Sequence, residues 1–511
     1  MRWGMKMIKN QRKSGVVLSY VSIIVNTIVQ LLYTPFLVSS LGQSEYGLYS
    51  LVASIIGYLG VLDLGFGNAI VVHTSKYRAL EDKENEKKLH GMFHVIYISI
   101  GIVAGLAGVI VSLFTNEIFG ATMGAADLEK MRIMLLILSL NVFLTFAFSI
   151  YTSIITASEA FVFQKILAIL STIAKPLIMI PILLIGYKSI ALCIVITLVN
   201  VAILFANYIF CKKKLKVSIK FCGFDWKMFR KVFSYSFYVF LAQIVDKINW
   251  SADQTILGMV SGTIAVAIYS AAAQINTMFI NLSTAISGVM LPKVSRMVAK
   301  KATNEELTNE MLKIGRIQFL VVFLIASGFV LVGKEFIRMW LGNDFEESYM
   351  VTLLLILPMI VPLIQNVGLS ILQAMNKFKF RAVATSIMAI LNIVFSIFLA
   401  KVWGPTGAAL GTTISLIICN IVVMNIYYKR KIGLDIGKFW KNILEMFLKL
   451  LPPFAIVAIL IAITNLQGWL AIVVYGGLYV VLYLMSTYLF IANEYEKKYL
   501  KRVLKKLYIK V

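Results

Sequence analysis

Residues 44–77 read SEYGLYSLVASIIGYLGVLDLGFGNAIVVHTSKY, which is almost wholly apolar and carries two acids, Glu45 at its start and Asp63 in its second half. A helix that crosses a bilayer needs about 20 mostly apolar residues. The stretch is therefore long enough to cross a membrane, and it places a carboxylate inside the crossing. The role of that carboxylate depends on the kind of protein that surrounds it.

Apolar runs of this length recur along the whole chain. Fourteen are present, numbered here as spans 1 to 14, at residues 14–40, 46–74, 92–115, 133–156, 161–186, 189–211, 232–258, 263–291, 317–333, 349–374, 382–402, 405–428, 446–464 and 469–492. The two weakest are spans 6 and 9, so twelve to fourteen crossings are expected. The composition agrees, because 60% of the 511 residues are apolar and 14% are charged, against about 45–50% and 25% in water-soluble domains. We predict an all-α polytopic membrane protein with about fourteen transmembrane helices.

The net charge of +25 would suit a nucleic-acid-binding protein, but its distribution argues against that function. If the amino terminus is cytoplasmic, 41 of the 49 Lys and Arg residues lie in or beside the cytoplasmic segments. This bias follows the positive-inside rule and places both termini in the cytoplasm. The basic loops are then topology signals and contacts for anionic membrane lipids, and no folded basic domain remains to bind nucleic acid.

The chain also carries an internal repeat. At a shift of 220 residues, GQSEYGLYS (42–50) lies over GTIAVAIYS (262–270). At a shift of 217, ASEAFVF (157–163) lies over AMNKFKF (374–380). Both matches fall at equivalent junctions between spans, which indicates two pseudo-symmetric six-helix bundles of the same orientation.

The repeat divides the chain into three parts. Residues 1–220 form the first bundle, residues 221–435 the second, and residues 436–511 add spans 13 and 14 with a basic cytoplasmic tail. Parallel repeats are related by an axis along the membrane normal, and transporters built from them rock the halves around a site between them.

Charged side chains inside a membrane are costly, so each one is a functional candidate. At about 1.5 Å per residue, Asp63 lies roughly 26 Å from the outer end of span 2, near the cytoplasmic interface. On the same scale Lys175 lies roughly 20 Å into span 5, and Asp246 and Lys247 lie roughly 21–23 Å into span 7. Adjacent residues on a helix do not face each other, so Asp246 and Lys247 cannot simply neutralise one another.

Two interpretations stay open for each of these charges. Asp63 either pins a helix end, which the glycines of DLGFGN would allow to bend, or gates the cytoplasmic entrance. Lys175 and Lys247 either form ion pairs between helices or line a wet, cationic cavity that meets an anionic substrate. Lysine suits the second role because it is a flexible point charge that can engage phosphate.

Polar residues at helical spacing favour the cavity. They are Ser22, Asn26, Gln30 and Tyr33 on span 1, Asn141, Thr145, Ser149 and Thr152 on span 4, Gln243, Asp246 or Lys247, Trp250 and Gln254 on span 7, and Ser270, Gln274, Thr277, Asn281 and Thr284 on span 8. Any single stripe is also typical of polar contacts between helices. Four stripes, two of them on the repeat-related spans 1 and 7, indicate a shared aqueous interior.

The sequence contains no motif for covalent chemistry. It has no GxxxxGK[ST] loop for ATP and no HExxH zinc helix, and we predict neither a metal site nor a cofactor. The longest external segments, about 116–132 and 334–348, are too short to house a catalytic domain. His73, His90 and His94 cluster near one cytoplasmic loop and are expected to be solvated there. The chain is therefore predicted to be a carrier and not an enzyme.

The chain resembles the bacterial oligosaccharide flippase family of polysaccharide biosynthesis proteins. The resemblance lies in KSGVVLSYVSIIVNTIVQLLYTPFLVSSLGQSEYGLYSL followed by LDLGFGNA, and in DQTILGMVSGTIAVAIYSAAAQI, FIRMWLGNDF and ILQAMNKFKFRA, in that order. It extends from residue 11 to about residue 430. The family belongs to the multidrug/oligosaccharidyl-lipid/polysaccharide exporter superfamily.

The resemblance implies a fold and a function. The fold is two six-helix bundles around a V-shaped cavity, with extra helices. The function is alternating-access translocation of undecaprenyl-diphosphate-linked sugar units across the bacterial plasma (inner) membrane, for O-antigen, capsule or a similar surface polysaccharide. Implied partners are the lipid-linked glycan and glycan polymerase machinery. Implied driving forces are a coupling cation, H⁺ or Na⁺, or the membrane potential.

On this interpretation Lys175 and Lys247 bind the diphosphate or acidic sugars, and Asp246 tunes Lys247. The amide side chains predicted to line the glycan path are those of Asn26, Gln30, Gln243, Gln274 and Asn281. Two alternatives stay open. A drug/cation antiporter of the same superfamily would be expected to rely on intramembrane acids, and a membrane-embedded glycan polymerase or ligase would need larger external loops.

Overall fold

The structure is a computed structural model that describes residues 2–217, 219, 223–287, 290–375, 377–464, 466–493 and 497. Its α-helices are α1 (Arg2–Leu41), α2 (Gln43–Leu59), α3 (Phe66–Ala79), α4 (Lys83–Leu113), α5 (Thr115–Phe119), α6 (Ala125–Ala157), α7 (Phe161–Leu184), α8 (Ser189–Lys213), α9 (Trp226–Val260), α10 (Gly262–Ser287), α11 (Leu291–Ala299), α12 (Asn304–Leu341), α13 (Ser348–Ile364), α14 (Asn366–Ala374), α15 (Phe378–Leu416), α16 (Met424–Tyr427), α17 (Ile436–Thr464) and α18 (Gly468–Ser486). Short 3₁₀ helices cover Gly60–Asp63 and Asn343–Phe345, and π-helical turns cover Ile417–Val423, Tyr428–Ile432 and Thr487–Ile491. No strand occurs in this described part of the chain.

The helices confirm the prediction of an all-α membrane protein that crosses the bilayer many times. Among the described residues, eleven segments are long and apolar enough to cross a membrane. The pair α13 and α14, which bends by 46°, makes a twelfth if it counts as one span. The segment Lys379–Ile432 is one of the eleven. Its backbone is not helical at Trp403 and Gly404, so it consists of two helices joined at a kink.

The chain divides into two compact units. The first comprises Met1–Ser270 and Ser396–Ala408, and the second comprises Ala271–Phe395 and Ala409–Val511. This partition follows spatial contacts and not the internal repeat. The division at residues 220 and 435 therefore stays a prediction.

The first unit is organised around α6. This helix packs against α4 on one side and α8 on another, while α1 packs against α7 and α2 packs against α9. Phe66, Phe93 and Tyr97 fill the core between α3, α4 and α6, and the rings of Phe66 and Phe93 meet edge to face at 5.2 Å. Because α6 is held on several sides, the polar residues along it have fixed neighbours.

The second unit is organised around α12, which packs against α13, α17 and α18. The hydroxyl of Tyr479 lies 2.6 Å from that of Ser327, and the hydroxyl of Tyr483 donates to the Leu320 carbonyl at 2.8 Å. Both tyrosines are 1% exposed, and buried hydroxyls need such partners. These contacts attach α18, which covers most of span 14, to the body of this unit.

The crossing that begins at residue 43 is broken near Asp63. Helix α2 ends at Leu59, and a 3₁₀ turn follows. The backbone is left-handed at Leu64 and Gly65, with φ of 53° and 71°, before α3 begins. The bend that the glycines of DLGFGN suggested is therefore present.

The Asp63 carboxylate holds this break together. It accepts a hydrogen bond from the buried Tyr97 hydroxyl at 2.9 Å, and it also accepts from the backbone N–H groups of Gly65 and Gly67. The first N–H groups of a helix have no partner within the helix, so the carboxylate satisfies donors at the start of α3. This geometry is that of a residue that pins a helix end, and a gating role for Asp63 stays a prediction.

Glu45 ties three helices together near the opposite end of the same crossing. Its carboxylate, 8% exposed, accepts from the Lys130 ammonium of α6 at 2.5 Å. It also accepts from the backbone N–H and the hydroxyl of Ser189, the first residue of α8, at 3.3 and 3.1 Å. One buried charge on α2 thus fixes the ends of α6 and α8.

We expect Glu45→Gln to lower the stability of the protein by about 1–3 kcal/mol, because it weakens charged hydrogen bonds to Lys130 and Ser189. Lys130 is 38% exposed, so the full cost of breaking a buried pair does not apply. In detergent, the melting temperature should fall by roughly 1–3 °C, because the shift per kcal/mol decreases with chain length. Glu117→Gln, at an exposed position of α5, is the control and should melt like the wild type. Equal melting of both variants would contradict the role given to Glu45.

The prediction that the three histidines lie in a solvated loop is wrong. His73 belongs to α3, and His90 and His94 belong to α4. His90 is 1% exposed, and its Nε2 lies 3.0 Å from the Thr74 hydroxyl. For His90 the error arose because hydropathy marks only the apolar part of a helix, whereas α4 begins nine residues before span 3. His73 and His94 already lay within spans 2 and 3, so a loop position did not agree with the predicted spans.

Candidate functional site

A ladder of polar side chains joins α6 to α8. The Asn200 amide of α8 donates to the Asn141 side-chain oxygen at 2.6 Å and to the Thr145 hydroxyl at 2.8 Å. Two turns further along α8, the Asn207 amide donates to the Thr152 hydroxyl at 3.3 Å. The stripe predicted on span 4 is therefore engaged in contacts between helices.

The same ladder is also open to the surface. The side chains of Thr145 and Thr152 are exposed, and those of Asn141 and Asn200 are half-buried. Thr145 lies near the middle of span 4, about 17 Å from either end. Polar groups that were left against hydrocarbon at this depth would be costly.

Helix α7 extends this polar surface. The Gln164 amide donates to the Thr152 carbonyl at 3.2 Å and to the Thr156 hydroxyl at 2.8 Å, so this face of α7 is turned towards α6. Lys175 lies eleven residues further on, which is three helical turns and the same face. Since α6 runs in the opposite direction, Lys175 reaches the depth of Asn141.

We call this set the polar seam; its members are Asn141, Thr145, Thr152, Gln164, Lys175 and Asn200. Lys175 supplies its positive charge. The Lys175 ammonium has neither a hydrogen bond nor an ion pair among the residues that the structure describes. Because no carboxylate in the described part of the chain pairs with it, this ammonium is available to bind an anionic group.

Asn26 and Gln30 lie on the helix beside Lys175. A Cβ on Gly15 of α1 would be 2.7 Å from the Phe161 Cβ at the start of α7, so these two positions share one depth. From there, Asn26 and Gln30 lie about 16 and 22 Å along α1, and Lys175 lies about 21 Å along α7. The structure thus brings these three predicted residues to similar depths on two packed helices.

Lys247 lies apart from the seam, on α9 against α2. A Cβ on Gly57 would be 2.8 Å from the Lys247 Cε and would overlap its ammonium nitrogen. The Ser54 hydroxyl, one turn earlier on α2, donates to the Ser251 carbonyl of α9 at 3.0 Å. The missing side chain of Gly57 therefore makes the space that the lysine occupies. Among the described residues, no carboxylate forms an ion pair with the Lys247 ammonium.

The remaining predicted residues are not gathered into this region. The side chains of Gln243 and Asp246 lie outside the described part of the chain. Gln274 and Asn281 lie on α10 in the second unit, where Asn281 is exposed and Gln274 is half-buried. Their assignment to the glycan path stays a prediction.

Four residues of the site were missed by the sequence analysis: Gln164, Asn200, Asn207 and Gly57. The two asparagines carried a signal, because they are seven residues apart in the otherwise apolar span 6 and so share one face. Gly57 carried none. Its role depends on which helix packs against α2, and a single sequence does not contain that information.

We expect Asn200→Ala to weaken the packing of α6 against α8. It removes two hydrogen bonds between helices, each worth about 0.6–2 kcal/mol in membrane proteins. The melting temperature should fall by about 1–4 °C, while Asn116→Ala, at an exposed position of α5, should have no effect. Unchanged melting of Asn200→Ala would show that the ladder does not stabilise the unit.

No group of three or more His, Cys, Asp and Glu side chains in the described part of the chain could hold a metal ion. The functional groups of the polar seam and of Lys247 are therefore ammonium, amide and hydroxyl groups. Such groups bind anions and sugar hydroxyls by charge and hydrogen bonding.

Comparison with known proteins identifies the family. The sequence matches the polysaccharide biosynthesis protein family over residues 13–298, which is more than half of the chain. The chain belongs to the polysaccharide biosynthesis protein family. Among curated relatives of this family member is the putative O-antigen transporter of Shigella flexneri, 20% identical over 407 residues, which cover 77% of the chain and 92% of the relative.

Solved structures show which fold the family member has. Lipid II flippase MurJ, in an inward closed conformation, superposes with a TM-score of 0.70 at 17% identity, over 95% of this chain and 98% of that one. A multidrug resistance MATE transporter of the MOP superfamily, in an inward-facing conformation, superposes with a TM-score of 0.66 at 14% identity, over 80% and 96%. The fold is thus of the MOP transporter type. Because it is shared by flippases and drug transporters, the fold does not choose between those functions.

Proposed function

We propose that this protein is a flippase that moves undecaprenyl-diphosphate-linked oligosaccharide units from the cytoplasmic to the outer leaflet of the bacterial plasma membrane by alternating access. The product would serve a surface polysaccharide such as O-antigen or capsule. The protein acts in this proposal as a carrier and forms no covalent bond with the glycan. The observation that carries the proposal is the polar seam, which reaches mid-membrane depth at Asn141, Thr145 and Lys175 and whose lysine has no ion pair among the described residues.

The exposure of the seam supports a water-filled passage beside it. The Thr145 hydroxyl, which donates to the Asn141 carbonyl at 2.7 Å, is exposed near the middle of the membrane, where hydrocarbon solvates polar groups poorly. Thr152 lies about 6 Å from the end of span 4, where water is close by. Intramembrane polar groups of this kind usually face a water-filled cavity or the interior of a bundle. Water in the passage would solvate these groups and would also admit a hydrophilic cargo.

The chemistry of the seam suits a glycan diphosphate. Two ammonium groups, those of Lys175 and Lys247, can meet the negative charge of a diphosphate. The amides of Asn26, Gln30 and Asn200 can donate to and accept from sugar hydroxyls. The polyprenyl chain would stay in the lipid, where its transfer into water would be unfavourable.

The finer architecture is part of the same proposal. Counting the bent pair and α9 as spans, and dividing Lys379–Ile432 at Trp403, brings the eleven segments to fourteen. Two glycines related by the repeat, Gly42 and Gly262, both precede a helix with φ of about 80°, a conformation that favours glycine. Both features support two related bundles with two extra helices. An even number of crossings places both termini on one side of the membrane, and the distribution of Lys and Arg favours the cytoplasmic side.

Deletion of the gene provides the test against other functions. If the protein is a flippase, lipid-linked repeat units should accumulate on the cytoplasmic side of the membrane and surface polysaccharide should be lost. Accumulation on the outer side would instead identify a polymerase or ligase. A change in drug susceptibility without a glycan defect would identify an antiporter.

A further inference from the structure

A groove opens on the surface of the first unit between α4 and α8, with α6 at its floor. Its volume is about 320 Å³, and its lining includes His94, Ile98, Phe148, Tyr151, Phe205 and Tyr208. None of these residues belongs to the polar seam. The groove therefore needs an explanation of its own.

The walls of the groove are aromatic and packed against one another. The rings of Tyr151 and Tyr208 stand perpendicular at 5.2 Å, and the ring of His94 meets that of Tyr151 at 5.9 Å. Phe205, which is 56% exposed, lies parallel to Tyr208 at 6.1 Å. Among the described residues, no Asp, Glu, Lys or Arg lines the groove. An apolar, aromatic slot of this kind, in contact with the membrane, can bury a hydrocarbon chain.

The depth of the groove matches one leaflet of the bilayer. His94 lies two residues inside span 3, and Tyr208 lies three residues from the end of span 6. Ala147, the deepest lining residue on α6, lies about 14 Å from the end of span 4. The groove thus runs from the membrane interface through most of one leaflet.

Two lysines flank the end of the groove at the interface. The Lys212 ammonium lies 5.7 Å from the centre of the Tyr208 ring and donates to its hydroxyl at 3.4 Å. Lys87 is exposed and lies seven residues before His94 on α4, which places both residues on one helical face. Neither lysine has an ion pair among the described residues. Positive charge is therefore concentrated where a lipid phosphate would lie.

We propose that this groove is a binding site for an anionic phospholipid. One acyl chain lies in the aromatic slot, and the phosphate lies between Lys212 and Lys87. Each lysine near a membrane surface strengthens the binding of an anionic lipid about fivefold. The site does not depend on the transport function proposed above, because it involves neither the seam nor Lys247.

Native mass spectrometry of the full-length protein in detergent provides the test. The two probes are phosphatidylglycerol and phosphatidylcholine with identical acyl chains, so that only the headgroup charge differs. Wild-type protein should retain phosphatidylglycerol in preference to phosphatidylcholine. The double variant Lys87→Gln/Lys212→Gln should need at least a tenfold higher phosphatidylglycerol concentration for equal occupancy.

Two further variants separate the groove from the general charge of the protein. Lys76→Gln/Lys441→Gln removes two exposed lysines that do not line the groove, and it should bind like the wild type. Phe205→Ala, which removes a wall residue that is 56% exposed, should lower the occupancy of both lipids with little change in the melting temperature. Equal retention of both lipids by the wild type, or equal losses in the two lysine pairs, would overturn the proposal.

Discussion

Lys247→Ala should reduce the export of surface glycan about tenfold or more, while the amount of protein in the membrane stays unchanged. The ammonium is half-buried within α9 and has no ion pair in the described structure, so its removal should cost little stability. A charged hydrogen bond contributes about 1.5–3 kcal/mol, and 1.4 kcal/mol is a factor of ten. The measurement is surface polysaccharide in a deletion strain that carries the variant, with an immunoblot of the membrane fraction.

The matched control for Lys247 is Lys401→Ala. Lys401 is exposed on α15, and its loss changes the net charge by the same amount. This variant should support wild-type export. Full complementation by Lys247→Ala would refute the assignment of Lys247 to substrate binding, and equal losses in the two variants would point to an effect of net charge alone.

Gly57→Ala should lower export nearly as much as the loss of Lys247, without lowering stability. The added Cβ would overlap the Lys247 ammonium and lie 2.8 Å from its Cε. These atoms are the end of a flexible side chain, so the ammonium must move while the helices stay packed. We expect export to fall about three- to tenfold, or roughly 0.7–1.4 kcal/mol, and the melting temperature to change by less than about 1 °C.

A double variant and a second glycine make this prediction specific. If Gly57 acts through Lys247, Gly57→Ala should have no further effect in a Lys247→Ala background, since coupled residues are not additive. Gly60→Ala is the control, because no atom lies within 4 Å of its Cβ position. Additive effects of Gly57→Ala and Lys247→Ala, or a similar loss in Gly60→Ala, would show that the glycine acts in another way.

The fold was largely predictable because its main determinant is local in sequence. Long apolar runs specify membrane helices directly, and the DLGFGN glycines indicated the bend at Asp63. The extent of α4 beyond span 3 was not predictable from hydropathy, because helices continue into water wherever their ends are capped. Asp82 caps α4 in this way, with its carboxylate accepting from the Asn85 N–H at 3.1 Å.

Of the candidate site, the sequence predicted the charged residues but not the hydrogen-bond partners of the polar residues. Lys175 and Lys247 stood out because an intramembrane lysine is rare. The partners of the polar groups were not predictable, since a stripe such as that of Asn141 and Thr145 has the same spacing whether it faces water or another helix. In the structure it does both, through Asn200. That outcome depends on the packing of α6 against α8, which is a contact between residues 55 or more positions apart.

Thiol labelling tests most directly the central claim, that the polar seam borders water in the middle of the membrane. Thr145→Cys and Leu140→Cys would be compared in a background without native cysteines, using a membrane-impermeant, hydrophilic maleimide. Both positions are exposed on α6, but they point about 140° apart. If water borders the polar seam, Thr145→Cys should be labelled rapidly and Leu140→Cys should be labelled little. Protection of Thr145→Cys, or equal labelling of both, would contradict the account.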